Sequence, residues 1–287
     1  MFEQIPAPQR EKRAAVINDL SGFGRCSIGV TLPILSVMGV HTASVPTAVL
    51  STHTGNFTGY SFRDLTGDMG LFLDHWQKEQ LQFDALMSGY LGSYEQIEIV
   101  QEYFRVFGKE DNLIFVDPVM GDDGELYALY TSDMAAGMKK LCAGADVIVP
   151  NLTEACILLG ETYREHHQTE QYLHSLCRGL KELGARRVVI TGASTVENRI
   201  GAACLDDSGF YMRSTVRVPA SYCGTGDVFA SVLLGALLND KDLPSSVQLA
   251  ADYTALAVRR SVENAVPARE GVDFERDLWK LGREVCL

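Results

Sequence analysis

Residues 223–227 read Cys223-Gly224-Thr225-Gly226-Asp227 and run directly into the apolar stretch Val228–Leu234. The glycines allow backbone N–H groups to converge where a helix begins, and the first N–H groups of a helix have no intrahelical acceptor. With the positive end of the helix dipole, these groups form a site suited to phosphate. Asp227 falls in the first turn beside that site. Taken alone, the same residues also fit a glycine-rich turn with a dipole-favoured aspartate and no ligand.

Upstream of this segment, short apolar runs alternate with longer stretches at helical period, a pattern typical of a parallel sheet wrapped by helices. We expect parallel strands at Ala14–Asn18, Ala43–Thr47, Ala85–Ser88, Leu113–Asp117, Asp146–Pro150 and Arg187–Thr191. Helices are expected at Ser27–Met38, Glu95–Phe107, Thr131–Cys142, Thr153–Leu159 and Thr169–Leu183, with glycine near their ends. The predicted fold is α/β, with a central, mostly parallel sheet flanked by helices on both faces.

Beyond Thr191 the pattern changes to shorter strands. Ile200–Leu205 and Phe210–Arg213 flank Asp206-Asp207-Ser208-Gly209, a sequence typical of a hairpin turn, so we expect the sheet to end in antiparallel pairs. Buried helices are expected at Thr225–Leu238 and Ser245–Arg260, and an amphipathic helix around Phe274–Val285. Because no linker or internal repeat is visible, residues 1–287 are expected to form a single domain.

The composition excludes several classes of protein. The 287 residues are 46% hydrophobic and 22% charged, as in a globular protein with a large core, and the net charge of −12 argues against nucleic-acid or membrane-surface binding. Met1 to Arg13 lacks the apolar core of a signal peptide and no run is long enough to span a bilayer, so a cytoplasmic location is expected. The seven scattered cysteines are expected to be reduced, and His166 and His167 to lie in a solvated loop rather than bind metal.

Three further strings follow predicted strands, at the edge of the sheet where α/β proteins bind ligands. They are Ser88-Gly89-Tyr90-Leu91-Gly92-Ser93, Val116-Asp117-Pro118-Val119-Met120-Gly121-Asp122 and Pro150-Asn151-Leu152-Thr153-Glu154-Ala155. Asp117 and Glu154 offer hard oxygen atoms to Mg²⁺, directly or through water. Structural interpretations also exist: Tyr90 fits a buried turn residue, and Asn151 with Glu154 resembles a capping box.

These four strings, in this order, resemble those of the vitamin B6 kinases of the ribokinase superfamily, from about Val16 to the C-terminus. The resemblance implies a ribokinase-like fold and transfer of a phosphoryl group from ATP to the 5′-hydroxymethyl group of pyridoxal, pyridoxine or pyridoxamine. It makes Asp227 the base that deprotonates the attacking hydroxyl group, with Gly224, Thr225 and Gly226 around the phosphate. It also implies a homodimer, and it leaves a dependence on K⁺ open.

The resemblance assigns the remaining site residues. The substrate would be bound by Asp19, Thr47, His53, Thr54 and Tyr90, with Tyr90 packed against the pyridine ring. ATP would be bound by Asn151, Glu154, Thr191, Gly226 and Tyr127, and Mg²⁺ by Asp117 and Glu154. The acidic segment Asp122–Leu126 is expected to close over ATP as a flap that excludes water, although a solvated loop without function has the same composition. Asn198 and Arg199 are expected to be turn residues rather than ligands.

One string departs from the vitamin B6 kinases. Common pyridoxal kinases carry serine and histidine after the first strand, whereas residues 18–22 read Asn18-Asp19-Leu20-Ser21-Gly22, which resembles the Asp-x-Ser-Gly string of hydroxymethylpyrimidine kinases. Ser51-Thr52-His53-Thr54-Gly55 and the Tyr90 string favour vitamin B6, so hydroxymethylpyrimidine is the alternative substrate. An ionised Asp19 within reach of the 4-substituent would pair with the ammonium group of pyridoxamine and favour that vitamer, whereas one that faces the ring nitrogen or the phenolic oxygen would favour none.

Two other classes of protein are weaker alternatives. Gly22-Phe23-Gly24 superficially matches a dinucleotide-binding loop, but Ser27 occupies the position of the third glycine. A non-catalytic vitamin B6-binding protein would not need Asp227. Walker-type strings and the protein-kinase signatures are absent from the sequence.

Overall fold

The computed structural model describes residues 10–128, 130–164 and 168–285. The strands in these ranges are β1 (Lys12–Ser21), β2 (Val40–Leu50), β3 (Phe62–Asp64), β4 (Ala85–Ser88), β5 (Leu113–Val116), β6 (Gly121–Asp122), β7 (Glu125–Leu126), β8 (Val147–Ile148), β9 (Arg187–Ala193), β10 (Arg199–Asp206) and β11 (Gly209–Val216). The α-helices are α1 (Ser27–Val37), α2 (Thr66–Lys78), α3 (Tyr94–Phe107), α4 (Ser132–Ala143), α5 (Leu152–Leu159), α6 (Glu170–Glu182), α7 (Thr225–Leu238), α8 (Leu243–Glu263) and α9 (Leu278–Val285).

The central sheet of the described residues has nine strands in the order β11-β10-β9-β8-β5-β4-β1-β2-β3. The six strands from β9 to β2 run parallel to their neighbours, while β3 pairs antiparallel with β2, and β10 and β11 form antiparallel pairs at the other end. The carboxyl ends of the parallel strands therefore share one edge. The hairpin of β6 and β7 lies outside this sheet.

Both faces of the sheet are covered by helices. Alternate residues of β1 point to opposite layers: Ala15 and Ile17 pack in the core that α2 to α6 form, and Ala14 and Val16 pack in the core of α1, α7, α8 and α9. Helix α7 is buried along most of its length and contacts both α1 and α8. This burial explains why its sequence is apolar on all sides, and it fixes the position of the first turn of α7 relative to the sheet.

The predicted strands and helices are found, with several differences in their bounds. β8 is shorter than predicted because Pro150 has no backbone N–H for the ladder and Asn151 already caps α5. The last helix begins at Leu278 rather than Phe274, after a 3₁₀ turn at Glu275–Asp277. The turn at 206–209 is confirmed by the terminal pair of Asp206 with Gly209.

The strand β3 and the helix α2, which lie between β2 and β4, were not predicted, and neither were the two short strands β6 and β7. His166 and His167 lie outside the described residues. Within the described residues, no helix is long and apolar enough to cross a membrane.

Candidate active site

The first turn of α7 presents free backbone N–H groups to open space. Gly224 caps this helix with φ of 82°, and a Cβ atom there would lie 2.0 Å from the carbonyl oxygen of Arg25, so only glycine fits. The N–H of Val228 donates to the carbonyl oxygen of Gly224 at 2.9 Å, and this is the first hydrogen bond of the helix. The N–H groups of residues 225–227 therefore have no acceptor within the helix. A Cβ atom at Gly226 would meet no other atom within 4 Å. The geometry is that of an accessible anion site.

Asp227 lies in this first turn, partly exposed, in surroundings that disfavour its charge. Burial, with a smaller contribution from the nearby charge of Asp19, raises the pKa of its carboxyl group to about 7. The backbone N–H of Ser27 and the side chain of Asn18 lower the pKa of Asp227, but by less than burial raises it. A carboxyl group that titrates near neutral pH is suited to accept a proton in catalysis.

Asn18 and Ser27 are site residues that the sequence analysis missed. The Oδ1 atom of Asn18 accepts hydrogen bonds from the backbone N–H groups of Asp19 (3.0 Å) and Tyr90 (2.9 Å). Ser27 has a φ of 51°, which is uncommon for a residue with a side chain, and its backbone N–H lowers the pKa of Asp227. The one sequence signal for Asn18 was its place near the end of a predicted strand.

Asp117 and Glu154 are buried carboxyl groups at the carboxyl edge of β5 and β8. Burial raises the pKa of Asp117, and the charges of Glu154 and Asp227 raise it further. Burial also raises the pKa of Glu154, although its Oε1 accepts from the N–H of Met120 at 3.0 Å and its Oε2 from the N–H of Asn151 at 2.8 Å. In the described part of the chain, the side chain of Asp117 makes no hydrogen bond, so it is the freer of the two possible metal ligands.

The described residues contain no group of three or more His, Cys, Asp or Glu side chains with the geometry of a metal site. A divalent cation held by Asp117 and Glu154 would therefore need phosphate or water oxygens to complete its coordination. Mg²⁺ ordinarily keeps several waters and binds proteins through one or two carboxylates together with substrate phosphates, so the residues present fit that cation.

The capping box predicted at Asn151 is confirmed. Its Oδ1 accepts from the N–H of Glu154 at 2.9 Å, and its side-chain Nδ2 donates to the carbonyl oxygen of Gly121 at 2.8 Å. The N–H of Gly124 in turn donates to the hydroxyl oxygen of Thr153 at 2.9 Å. The amino-terminal end of α5 thus holds the β6–β7 hairpin, which is the segment predicted to act as a flap. Both ends of the Asn151 amide are occupied, and a phosphate contact by this residue stays a prediction.

Two more residues predicted to bind ATP lie near this edge. Partial burial raises the pKa of the Tyr127 hydroxyl group, and the charges of Glu154, Asp122, Asp117 and Asp227 raise it further, which places the tyrosine beside the carboxylates. Thr191 of β9 forms a β-bridge with Asn151, and its N–H donates to the carbonyl oxygen of Pro150 at 2.9 Å.

Asp19 is buried at an irregularity in the pairing of β1 with β2, and its two oxygens already have partners. The hydroxyl group of Ser27 donates to Oδ1 at 2.5 Å, and that of Ser21 to Oδ2 at 3.4 Å. Burial nevertheless raises the pKa of this carboxyl group. Asp19 is therefore a buried, serine-bonded carboxyl group rather than the free charge that the predicted preference for pyridoxamine requires.

Tyr90 is half-buried after β4, where Asp19 and Tyr60 lie close enough to raise its pKa further than burial alone does. The hydroxyl group of Thr47 is buried and donates to the carbonyl oxygen of Tyr90 at 3.3 Å. Thr47 thus supports the backbone of Tyr90.

His53 and Thr54 differ in position although they are adjacent in sequence. His53 is buried; its Nδ1 accepts from the N–H of Gly55 at 3.1 Å, and its Nε2 lies 2.7 Å from the carbonyl oxygen of Arg269. These partners assign the proton to Nε2 and leave neither nitrogen free. Thr54 is exposed. The structure thus brings Asp19, Tyr90, Asp117, Glu154 and Asp227 together, whereas Thr54 lies on the surface.

Comparison with known proteins shows the family. Residues 32–269 match the phosphomethylpyrimidine kinase family, which is well over half of the chain. The chain belongs to this family. This protein is a phosphotransferase that acts on an alcohol group.

Solved structures agree with the assignment. The chain is similar to a Bacteroides thetaiotaomicron protein assigned to the phosphomethylpyrimidine kinases and crystallised with pyridoxal, at 37% identity and a TM-score of 0.86 over 95% of this chain and 96% of that one. It is also similar to the pyridoxal kinase of Lactobacillus plantarum, at 33% identity and a TM-score of 0.87 over 94% and 96% of the two chains. The predicted ribokinase-like fold and vitamin B6 kinase family are confirmed.

Relatives with a second substrate also match. The hydroxymethylpyrimidine/phosphomethylpyrimidine kinase of Haemophilus influenzae is 27% identical, over 86% of this chain and 91% of that protein. Similarity to known proteins therefore identifies the reaction as phosphoryl transfer, but it does not distinguish between vitamin B6 and hydroxymethylpyrimidine as the acceptor.

Proposed function

We propose that this protein transfers the γ-phosphoryl group of Mg²⁺-bound ATP to the 5′-hydroxymethyl group of a vitamin B6 vitamer. The observation that carries the proposal is the position of Asp227: its carboxyl group, whose pKa is raised to about 7, lies in the first turn of α7, beside N–H groups that have no backbone acceptor and beside the open space around Gly226. A proton acceptor and an anion site at one helix terminus are what phosphoryl transfer to an alcohol requires.

Asp227 would orient the substrate hydroxyl group and take its proton as the oxygen attacks. The N–H groups of residues 225–227 would stabilise the charge on the transferred group, so most of the acceleration comes from positioning and electrostatics. A bound Mg²⁺ supplies neutralisation of phosphate charge. It is needed here because several carboxyl groups surround the same space, namely Asp19, Asp117, Asp122, Glu154 and Asp227.

On the ATP side, we assign nucleotide binding to Asn151, Thr191 and Tyr127. The β6–β7 hairpin would act as a flap that keeps water out of the site. Its attachment to α5 through Thr153 and Asn151 places the hairpin beside Glu154. On the substrate side, we assign Tyr90 to the pyridine ring, Asp19 to the polar edge of the pocket with His53 close enough to affect its charge, and Thr54 to a contact from the surface.

The vitamin B6 assignment is supported by the Bacteroides thetaiotaomicron relative crystallised with pyridoxal and by the Lactobacillus plantarum pyridoxal kinase. One observation favours hydroxymethylpyrimidine as a second candidate: Asp19 and Ser21 interact through a hydrogen bond and belong to the Asp-x-Ser-Gly string that resembles the pyrimidine kinases. Both substrates carry a hydroxymethyl group on an aromatic nitrogen heterocycle, so the same machinery serves either.

A panel of acceptors tests the proposal. Purified protein is given Mg-ATP with pyridoxal, pyridoxine, pyridoxamine or hydroxymethylpyrimidine, and the phosphorylated product is quantified by mass spectrometry. We expect kcat/KM for at least one vitamin B6 vitamer to exceed that for hydroxymethylpyrimidine. Turnover of hydroxymethylpyrimidine alone would transfer the assignment to the pyrimidine substrate. The oligomeric state, expected to be a homodimer, is measured on the same preparation by light scattering.

A further inference from the structure

The β6–β7 hairpin carries acidic residues beside a site that is itself acidic. It contains Asp122, Asp123 and Glu125, and all three residues are exposed. The base of the hairpin lies at Glu154, because the N–H of Met120 donates to Oε1 of that residue at 3.0 Å. Like charges repel each other, and these acids would also repel the phosphates of ATP. A two-stranded hairpin is marginally stable by itself, so this one needs contacts that hold it in place.

Two hydrogen bonds from the amino-terminal end of α5 supply part of that support. The side chain of Asn151 donates to the carbonyl oxygen of Gly121 at 2.8 Å, which holds strand β6. The hydroxyl oxygen of Thr153 accepts from the N–H of Gly124 at 2.9 Å. Of these two bonds, only the second reaches the turn of the hairpin.

The turn of the hairpin also rests on an aromatic ring. Asp123 and Gly124 both have positive φ angles, 50° and 85°, as in a type I′ turn. A Cβ atom at Gly124 would lie 2.8 Å from Cδ1 of Tyr163 and 3.3 Å from its Cγ, so the ring is in direct contact with the backbone of the turn. Glycine is therefore required here for two reasons, the turn geometry and the ring.

Tyr163 is itself held in place. It follows Gly160, which ends α5 with a φ of 71°. Its side chain is half-buried and packs against the hydrophobic core on this face of the sheet. Because a close-packed core yields little, a ring that is anchored in it can fix the position of an exposed hairpin.

We infer that Tyr163 is a positioning residue for the flap: its ring holds the Asp123-Gly124 turn where the hairpin excludes water from the transferred phosphoryl group. The inference rests on the proposed function, in which this hairpin covers ATP. Water that reaches the γ-phosphoryl group replaces the acceptor hydroxyl group as the nucleophile. The bond from the γ-phosphorus to the bridging oxygen breaks as before, a proton passes to solvent, and the products are ADP and inorganic phosphate.

The decisive variant is Tyr163→Ala, which removes the ring but leaves both hydrogen bonds from α5 to the hairpin. ADP and phosphorylated acceptor are measured together, with saturating Mg-ATP and the best acceptor of the panel. We expect the ratio of ADP to phosphorylated acceptor to rise at least about threefold above the wild-type value, while KM for the acceptor changes less than about twofold. Tyr163→Phe keeps the ring and should retain the wild-type ratio.

Tyr172→Ala is the matched control. Tyr172 is another half-buried tyrosine that packs against the same core, but its hydroxyl group lies 3.5 Å from Sγ of Cys156, in the second turn of α5. Its loss should lower the thermal midpoint about as much as the loss of Tyr163 does, without changing the product ratio. An equal rise of the ratio in Tyr172→Ala and Tyr163→Ala would contradict a specific role of Tyr163.

Hydrogen exchange of the backbone amides in residues 120–127 needs no turnover, so it distinguishes a failure of this inference from a failure of the proposed function. This segment should exchange at least about threefold faster in Tyr163→Ala than in the wild type, and at the wild-type rate in Tyr163→Phe and Tyr172→Ala. Unchanged exchange in Tyr163→Ala would overturn the positioning role. Faster exchange with an unchanged product ratio would overturn its link to water exclusion. If the wild type phosphorylates none of the acceptors, the proposed function fails, and the exchange rates still decide whether Tyr163 holds the hairpin.

Discussion

At the scale of single residues, Asp227 links activity and stability to pH. Burial raises its pKa in the folded protein to about 7, above the ordinary value of 3.8. The folded state therefore binds this proton more tightly than the unfolded state, and the protein loses stability as pH rises from about 4 to about 7. Catalysis needs the ionised form, so the rate rises over the upper part of the same range. The ionisation that supports the proposed reaction thus destabilises the fold.

We predict that Asp227→Asn is more thermostable than the wild type above neutral pH and nearly equal to it at about pH 4, because the variant has no carboxyl group to ionise. The measurement is the thermal midpoint of both proteins across that range. A constant difference between the two midpoints would contradict the raised pKa, since only a group that titrates in this range makes the difference depend on pH.

Asp19 shows how a neighbouring residue changes an expectation drawn from sequence. A free carboxylate would favour the ammonium group of pyridoxamine, but Ser27 and Ser21 already donate to its oxygens and burial raises its pKa. We therefore predict that Asp19→Ser lowers kcat/KM for pyridoxal and pyridoxamine by similar factors. Measuring both efficiencies checks this. A fall of about tenfold in the pyridoxamine-to-pyridoxal ratio would instead indicate direct contact with the amine.

The residues named from sequence are those that lie in recognisable strings, such as Asp227, Tyr90 and Asp117. Asn18 and Ser27 were missed because their importance comes from contacts between distant segments. Asn18 accepts a hydrogen bond from Tyr90, which is 72 positions away, and its side chain lowers the pKa of Asp227, which lies still further along the chain. The sequence around an asparagine near the end of a strand does not indicate which distant residues its side chain contacts.

At the scale of secondary-structure elements, the loops after β5 and β8 carry the two possible metal ligands in different states. Both oxygens of Glu154 accept backbone N–H groups, whereas the Asp117 carboxyl group is free of such bonds in the described part of the chain. We predict that both Asp117→Asn and Glu154→Gln raise the Mg²⁺ concentration needed for half-maximal activity, because each removes an anionic oxygen donor.

Thermal unfolding separates the two variants. Glu154→Gln should also lower the thermal midpoint, because one of its two backbone hydrogen bonds at the start of α5 is lost, whereas Asp117→Asn should leave the midpoint unchanged or raise it. Unchanged Mg²⁺ dependence in both variants would place the metal ligands elsewhere.

The elements that periodicity predicted were those with strong apolar patterns and clear ends. Helix α7 was placed at its observed bounds because glycine precedes a continuous apolar run. Strand β3 and helix α2 were missed: β3 is a three-residue exposed edge strand, and Met69 and Leu73 are the only buried residues of α2, so neither element has a strong apolar signal. Their formation depends on pairing with β2 and packing against α3.

At the scale of the whole molecule, the parallel sheet explains why residues separated by about two hundred positions form one site. The strands β1, β4, β5 and β8 end at the same edge of the sheet. Helix α7, which comes much later in the sequence, begins at this edge and places Asp227 near Asp19 and Asp117. The alternation of strands and helices was sufficient to predict this architecture. It was not sufficient to predict the acceptor, because vitamin B6 and hydroxymethylpyrimidine kinases share the architecture and the motifs.

The rate of phosphoryl transfer in a single turnover, for wild type and Asp227→Asn, tests the central claim most directly. Protein in excess over pyridoxal is mixed with saturating Mg-ATP, and product is measured after rapid quenching, alongside the affinity for Mg-ATP and the thermal midpoint. We predict that the variant transfers the phosphoryl group at least about 100-fold more slowly, while it remains folded and binds Mg-ATP within a few-fold of the wild type. Transfer by a folded Asp227→Asn protein at a rate close to that of the wild type would contradict the assignment of Asp227 as the base.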